Sequence, residues 1–89
     1  MITSDELTRF EHKLEETCNR FRLESVHPIL FIRVEAAVWR VVQEVLDPRD
    51  FPSEVVVSFD EVNQSLSISF DLDFLSRLNF ARDNEKTQR

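Results

Sequence analysis

The chain has one cysteine, Cys18, and two histidines, His12 and His27, and a thiol beside an imidazole would form a nucleophile with its own base. Cys18 falls on the apolar side of a helical repeat, whereas His12 falls on the polar side of the same helix. His27 stands directly before a proline. We therefore predict that Cys18 packs as a small apolar side chain and that no Cys–His or Ser–His–Asp catalytic set forms.

Two other kinds of site use carboxylates: a metal site, in which a carboxylate and a histidine are ligands, and an acid–base pair of two carboxylates. His12 and Glu16 have the spacing of two ligands on one helix face, but two ligands are too few for a metal site. Asp71 and Asp73 flank Leu72 as a pair of carboxylates, and solubility and helix capping are sufficient roles for them. We therefore predict no metal, no cofactor and no enzymatic activity.

The absence of glycine removes several further classes of active site. None of the 89 residues is glycine. Phosphate-binding loops of the Walker and dinucleotide-binding types need backbone positions that a Cβ atom would obstruct, and these are excluded. The glycine-flanked serine of the α/β-hydrolases is excluded for the same reason.

The charge balance bears on the class of partner. The net charge is −6, and the basic residues are spread from Arg9 to Arg89 among acidic ones. Nucleic acid requires a clustered basic face, so we predict no nucleic-acid partner. The hydrophobic fraction of 42% and the charged fraction of 31% are typical of a folded globular domain.

The same sequence gives expectations about membranes and compartment. Residues 1–6 lack the basic start and apolar run of a signal peptide. The most apolar window, residues 29–46, contains too many charged side chains for a membrane span. With a single cysteine, which cannot form an internal disulfide, we expect a soluble protein of the reducing cytoplasm.

Two helices are predicted in the first half of the chain. Thr3 and Glu6 form a capping-box pattern, and an apolar stripe with helical spacing follows to residue 22. Pro28 suits the first turn of a second helix over residues 29–46, whose apolar arc covers more than half of its circumference. A competing interpretation makes residues 29–34 a short strand, because Ile-Leu-Phe-Ile is rich in strand-forming residues.

The second half predicts a hairpin and a short helix. Residues 55–60 and 65–72 alternate between apolar and polar side chains, as antiparallel strands with one buried face do. Asn63 is the predicted left-handed residue of the turn, and Asp73 the predicted cap of a third helix that ends near Ala81. The predicted fold is thus one α+β domain over residues 1–81, in the order αα-ββ-α, with a disordered polar tail over 82–89.

The second helix supplies the candidate partner-binding residues. Glu35 falls inside its apolar arc, where a carboxylate is costly unless it is paired or exposed. Three explanations stay open: a pair with Arg20 or Arg22, a counter-charge from a second subunit, or access to solvent. Trp39 lies on the flank of the same arc, as a core-edge residue or an interface anchor. The predicted partner-binding set is Phe31, Glu35, Trp39, Val42 and Leu46.

Two observations point to a protein partner or a homodimer. A two-stranded hairpin leaves an unpaired edge on each strand, and neither strand has an internal proline or lysine to block pairing. The second helix also has more apolar surface than one helix and one hairpin easily cover. We predict a small acidic interaction module, an adaptor, regulator or assembly factor, that dimerises through a strand edge or the apolar helix face. The alternatives are a nucleic-acid-associated regulator with a β-wing and a small enzyme or metal-binding domain built on His12, Glu16 or Glu35.

Overall fold

The computed structural model describes residues 1–21 and 28–87, with only the backbone described for residue 28 and for 84–87. Its elements are α1 (Ser4–Phe21), α2 (Pro28–Val45), β1 (Val55–Asp60), β2 (Ser65–Phe70) and α3 (Leu72–Thr87). A short 3₁₀ turn, Pro48–Asp50, joins α2 to the hairpin. The order helix–helix–hairpin–helix confirms the predicted α+β architecture. No helix in the described ranges has the length and apolar character needed to cross a membrane.

Helix α1 begins with the predicted capping box. The Thr3 backbone N–H donates to Glu6 Oε1 (3.0 Å), and the Glu6 N–H donates to Thr3 Oγ1 (3.1 Å). Two of the N–H groups that a helix start leaves without a backbone partner are thereby satisfied. Thr17 is buried, and its hydroxyl is satisfied because it donates to the Lys13 carbonyl oxygen (2.8 Å).

Residues 29–34 belong to α2, so the alternative of a short strand there is wrong. The buried positions of this helix follow helical spacing from its first turn, beginning with Leu30, Val34 and Val38. A strand would instead have placed Ile29, Phe31 and Arg33 on one face. The helical spacing of the apolar residues, rather than the strand preference of the individual residue types, therefore decides the conformation of this segment.

The hairpin has the predicted alternation of apolar and polar positions, but β2 ends at Phe70 instead of residue 72. Leu72, predicted as the last apolar position of the strand, begins α3 and is 83% exposed. Val55 pairs with Phe70, Val57 with Ile68 and Phe59 with Leu66. The serines of β2 are exposed on the opposite face. The turn differs from prediction: Gln64, not Asn63, has the positive φ of 52°. Asn63 instead donates its side-chain amide to Asp60 Oδ2 (2.7 Å), so its side chain bonds within the turn while the next residue takes the left-handed conformation.

Helix α3 begins earlier and extends further than predicted. Its cap is Asp71, not Asp73, because Asp71 Oδ2 accepts the Phe74 N–H (3.1 Å). Asp73 lies in the first turn and pairs with Arg77 (Oδ2 to Nη2, 3.1 Å). Residues 82–87, predicted as a tail, continue the helix, since no glycine or proline interrupts them and Arg82 Nη2 bonds Glu11 Oε1 (2.8 Å). Residues 88–89 lie outside the described residues.

An aromatic cluster joins three elements in the core. The ring centroids of Phe10 and Phe74 lie 5.8 Å apart, those of Phe10 and Phe70 also 5.8 Å, and those of Phe70 and Phe74 4.9 Å. Their tilted and edge-to-face arrangements are the favoured geometries for aromatic pairs. The cluster thus fixes α1, β2 and α3 together, while the valines of α2 fill the other part of the same core.

Candidate interaction surface

The five predicted partner-binding residues, four on α2 and Leu46 directly after it, divide between core and surface. Val42 and Leu46 are buried in the core of the chain itself, so in this fold no partner reaches them. Phe31 and Trp39 are half-buried, and Glu35 is exposed. The division arises because α1 and β1 both pack on α2 and cover most of its apolar arc.

Glu35 reaches solvent within this chain, which corresponds to the third of the explanations given for it. Arg20 lines a cleft with Arg33 and Arg40, and Glu35 does not line that cleft. Arg22, the other candidate counter-charge, lies outside the described residues. The Glu35 carboxylate thus lies outside the core formed by the described residues.

The exposed side of α2 carries apolar residues that the sequence analysis did not single out. Ile29 is 58% exposed and Ile32 is 68% exposed. Steps of three and four residues place them on one face with Ala36 and Trp39, and we call these four residues the α2 outer face. A signal was present in the sequence: Ile29 lies only about 40° around the helix from Arg33, on the side that the periodicity assigns to solvent.

A cleft with three arginines borders this face. It lies between the end of α1 and the middle of α2, and its volume is about 390 Å³. Its lining residues are Arg20, Phe21, Arg33, Ala36, Ala37 and Arg40. We call it the arginine groove. Ala36 belongs to both surfaces, so the apolar face and the cationic groove are continuous.

Phe21 positions two of the three guanidinium groups. The guanidinium carbons of Arg20 and Arg33 each lie 5.3 Å from the centroid of the Phe21 ring, within range of a cation–π interaction. Phe21 itself is buried. A fixed ring therefore restrains two flexible side chains at the wall of the groove.

The cleft changes in character as it continues along the two helices. A second section of about 330 Å³ shares Arg20, Ala37 and Arg40 with the arginine groove. In it Lys13 Nζ pairs with Glu44 Oε2 (3.1 Å) across α1 and α2, and Glu16 adds another carboxylate. Among the described lining residues the cleft is thus most positive at the Phe21 end, although the whole chain has a net charge of −6.

Two of the candidate chemical groups, His12 and Glu16, are in contact with each other. His12 Nε2 pairs with Glu16 Oε1 (2.9 Å) on the exposed side of α1. Burial raises the pKa of the half-buried Cys18 thiol, which keeps it protonated at neutral pH. Residues 1–21 and 28–87 contain no group of three His, Cys, Asp or Glu side chains that could hold a metal. His27 lies outside the described residues.

The hairpin offers a second kind of surface. In the described part of the chain the sheet consists of β1 and β2 alone, so each strand has one long edge without a neighbouring strand. Such edges carry backbone N–H and C=O groups that another strand can pair with.

No model of a known protein family matches this chain, and no curated protein or solved structure is detectably similar to it.

Proposed function

We propose that this protein is a non-enzymatic interaction module, an adaptor, regulator or assembly factor, that binds a partner protein through the α2 outer face. The observation that carries this proposal is the exposure of Ile29 and Ile32 on a helix whose opposite side is fixed in the core. Covering an isoleucine side chain completely contributes roughly 1.5–3 kcal/mol, so these two residues are a substantial source of binding free energy.

The helix that presents this face is well suited to recognition because it is rigid. Val34, Val38 and Val42 are fully buried, and α1 and β1 pack against them. A partner that docks on such a helix pays little conformational entropy to order it. The half-buried Trp39 adds an aromatic group of the type that is enriched at interaction hot spots.

We further propose that two copies of the chain associate through the open edge of the hairpin. Pairing of two identical edges would give a four-stranded antiparallel sheet with two-fold symmetry, and would shield backbone groups that are otherwise open to any strand. Light scattering on the protein as it elutes from a size-exclusion column would then give twice the chain mass of 10.6 kDa. The mass of a monomer at every protein concentration would contradict self-association.

Affinity capture from the native source tests the partner-binding role. The baits are the wild-type chain, Ile32→Asp on the α2 outer face, and Val62→Asp in the hairpin turn, where Val62 is 91% exposed. We expect the wild type and Val62→Asp to capture one protein that Ile32→Asp does not capture. The purified captured protein should also bind the purified wild-type chain. The proposal fails if Ile32→Asp captures the same proteins as the other two baits.

A further inference from the structure

The partner of the α2 outer face must also meet the arginine groove, because the two surfaces share Ala36 and run along the same helix. An apolar segment alone would offer no carboxylate to the Arg20 and Arg40 guanidinium groups, which line the cleft beside this face. A basic segment would meet like charge there, which costs binding free energy and disfavours such a partner. The charge of the groove therefore restricts the class of partner.

We propose that this protein recognises an acidic amphipathic segment of its partner, a deduction that rests on the proposed function. The apolar side chains of the segment cover Ile29, Ile32 and Trp39. Its Asp or Glu carboxylates enter the groove and bond Arg20 and Arg40. A guanidinium group presents a planar pair of N–H donors to a carboxylate, a geometry that a lysine ammonium does not offer.

The groove has the room and the order that this role requires. Ala36 and Ala37 form part of its lining, and their short side chains leave space beside the guanidinium groups in a cleft of about 390 Å³. The Phe21 ring restrains Arg20 at 5.3 Å, so less side-chain entropy is lost when a carboxylate binds. Arg40 is exposed and lines both sections of the cleft, so it stands at the centre of the bound segment.

The arginine groove is positively charged whereas the whole molecule is negatively charged. This difference predicts how binding of an acidic segment depends on salt. At low ionic strength the net charge of −6 repels an acidic segment at long range, while the groove attracts it at contact. Contact pairs that are partly shielded from solvent are screened less than distant charges. Moderate salt should therefore weaken binding only modestly.

A synthetic peptide tests the proposal with the full chain. The probe is a blocked peptide of about twelve residues, with leucines on one helical face and glutamates elsewhere. The matched control replaces every glutamate by glutamine. Trp39 is the single tryptophan of the chain and lies on the proposed surface, so its fluorescence reports binding directly. We expect the glutamate peptide to bind at least about tenfold more tightly than the glutamine peptide.

Variants of single arginines locate the effect. Arg20→Gln and Arg40→Gln should each weaken binding of the glutamate peptide by about fivefold, the effect of one partly exposed ion pair. Arg49→Gln is the control, because Arg49 lies on the 3₁₀ turn beyond the far end of α2 and its replacement changes the net charge equally. Circular dichroism on each variant shows whether the fold is retained. Arg20 stacks on the buried Phe21 ring whereas Arg40 is exposed, so Arg40→Gln is the substitution that disturbs packing less.

Several outcomes would overturn the proposal. These are failure of the glutamate peptide to bind, equal affinity for the two peptides, or equal effects of Arg40→Gln and Arg49→Gln. Arg40-dependent binding of inorganic phosphate or of an oligonucleotide, without binding of the glutamate peptide, would assign the groove to another anion. If the glutamine peptide binds as well as the glutamate peptide and Ile32→Asp abolishes both, the proposed function stands and only the acidic preference is wrong.

Discussion

Single aspartate residues build the turns of this chain, which has no glycine to do so. Asp47 Oδ1 accepts the Arg49 N–H (3.0 Å), Asp60 Oδ1 accepts the Val62 N–H (2.9 Å), and Asp71 Oδ2 accepts the Phe74 N–H (3.1 Å). An aspartate side chain that bonds backbone a few residues ahead imitates a turn of the backbone itself. Each of the three connections after α2 is fixed in this way, by a side chain rather than by backbone freedom.

The hairpin turn is the place where the missing glycine has a measurable cost. Gln64 holds a φ of 52°, a region that is unfavourable for residues with a Cβ atom. We predict that Gln64→Gly raises the free energy of unfolding by about 0.5–1 kcal/mol, because relief of this strain outweighs the greater freedom of the unfolded chain. Urea denaturation measures the change.

Glu61→Gly is the matched control for this substitution, since Glu61 lies in the same exposed turn without a positive φ. It should lower the free energy of unfolding, because it adds freedom to the unfolded chain without relieving any strain. A stabilisation by both substitutions, or by neither, would contradict the interpretation of Gln64 as the strained residue.

At the scale of elements, the sequence predicts those helices and strands whose apolar residues recur at a regular spacing. Thr3 and Glu6 mark the start of α1, and the alternation of Val55, Val57 and Phe59 predicts the hairpin and its buried face. Which of two neighbouring aspartates caps α3 was not predictable in this way, because Asp71 is chosen by a tertiary contact. Its Oδ1 also accepts the Ser53 N–H (2.7 Å) from the loop before β1, eighteen residues away in the chain.

The candidate site was less predictable than the fold for a related reason. Periodicity identifies the apolar arc of α2, but not how much of that arc the rest of the chain covers. Val42 and Leu46 were therefore predicted as binding residues although the core buries them, and Ile29 and Ile32 were missed. The arginine groove combines Arg20 of α1 with Arg33 and Arg40 of α2, and only helix packing brings them together.

The aromatic cluster is the packing feature on which the arrangement of elements most depends. Phe74 is fully buried and contacts the rings of Phe10 and Phe70, whereas Phe80 on the same helix is 54% exposed. Phe74→Ala should lower the free energy of unfolding by about 3–5 kcal/mol, through lost burial and the cavity left behind. Phe80→Ala should change it by less than about 1 kcal/mol. If urea denaturation shows that the two substitutions lower the free energy of unfolding by similar amounts, the aromatic cluster does not dominate the core.

The same three aspartates give the stability of the whole molecule a dependence on pH. Hydrogen bonds from the backbone and side chain of Arg49 lower the pKa of Asp47, and those from the side chain and backbone of Asn63 lower the pKa of Asp60. Partial desolvation raises the pKa of Asp71, but backbone N–H groups of Phe74, Ser53 and Glu54 outweigh it and the net pKa is lowered. All three carboxylates are thus easier to ionise in the folded state than at their ordinary value of 3.8.

Because these pKa values are lower in the folded state, the stabilisation is present above 3.8 and is lost as the pH falls through the folded values. We predict a melting temperature that is nearly constant from neutral pH to about pH 5 and falls steeply below about pH 4. Asp71→Asn keeps an acceptor oxygen but cannot ionise, so it should melt below the wild type at neutral pH and approach it in acid. Added salt screens repulsion among the cations of the acid form but restores no carboxylate hydrogen bond, so the convergence of the two melting curves should persist in salt. A difference between wild type and Asp71→Asn that stays constant with pH would show that the Asp71 charge contributes nothing to folding.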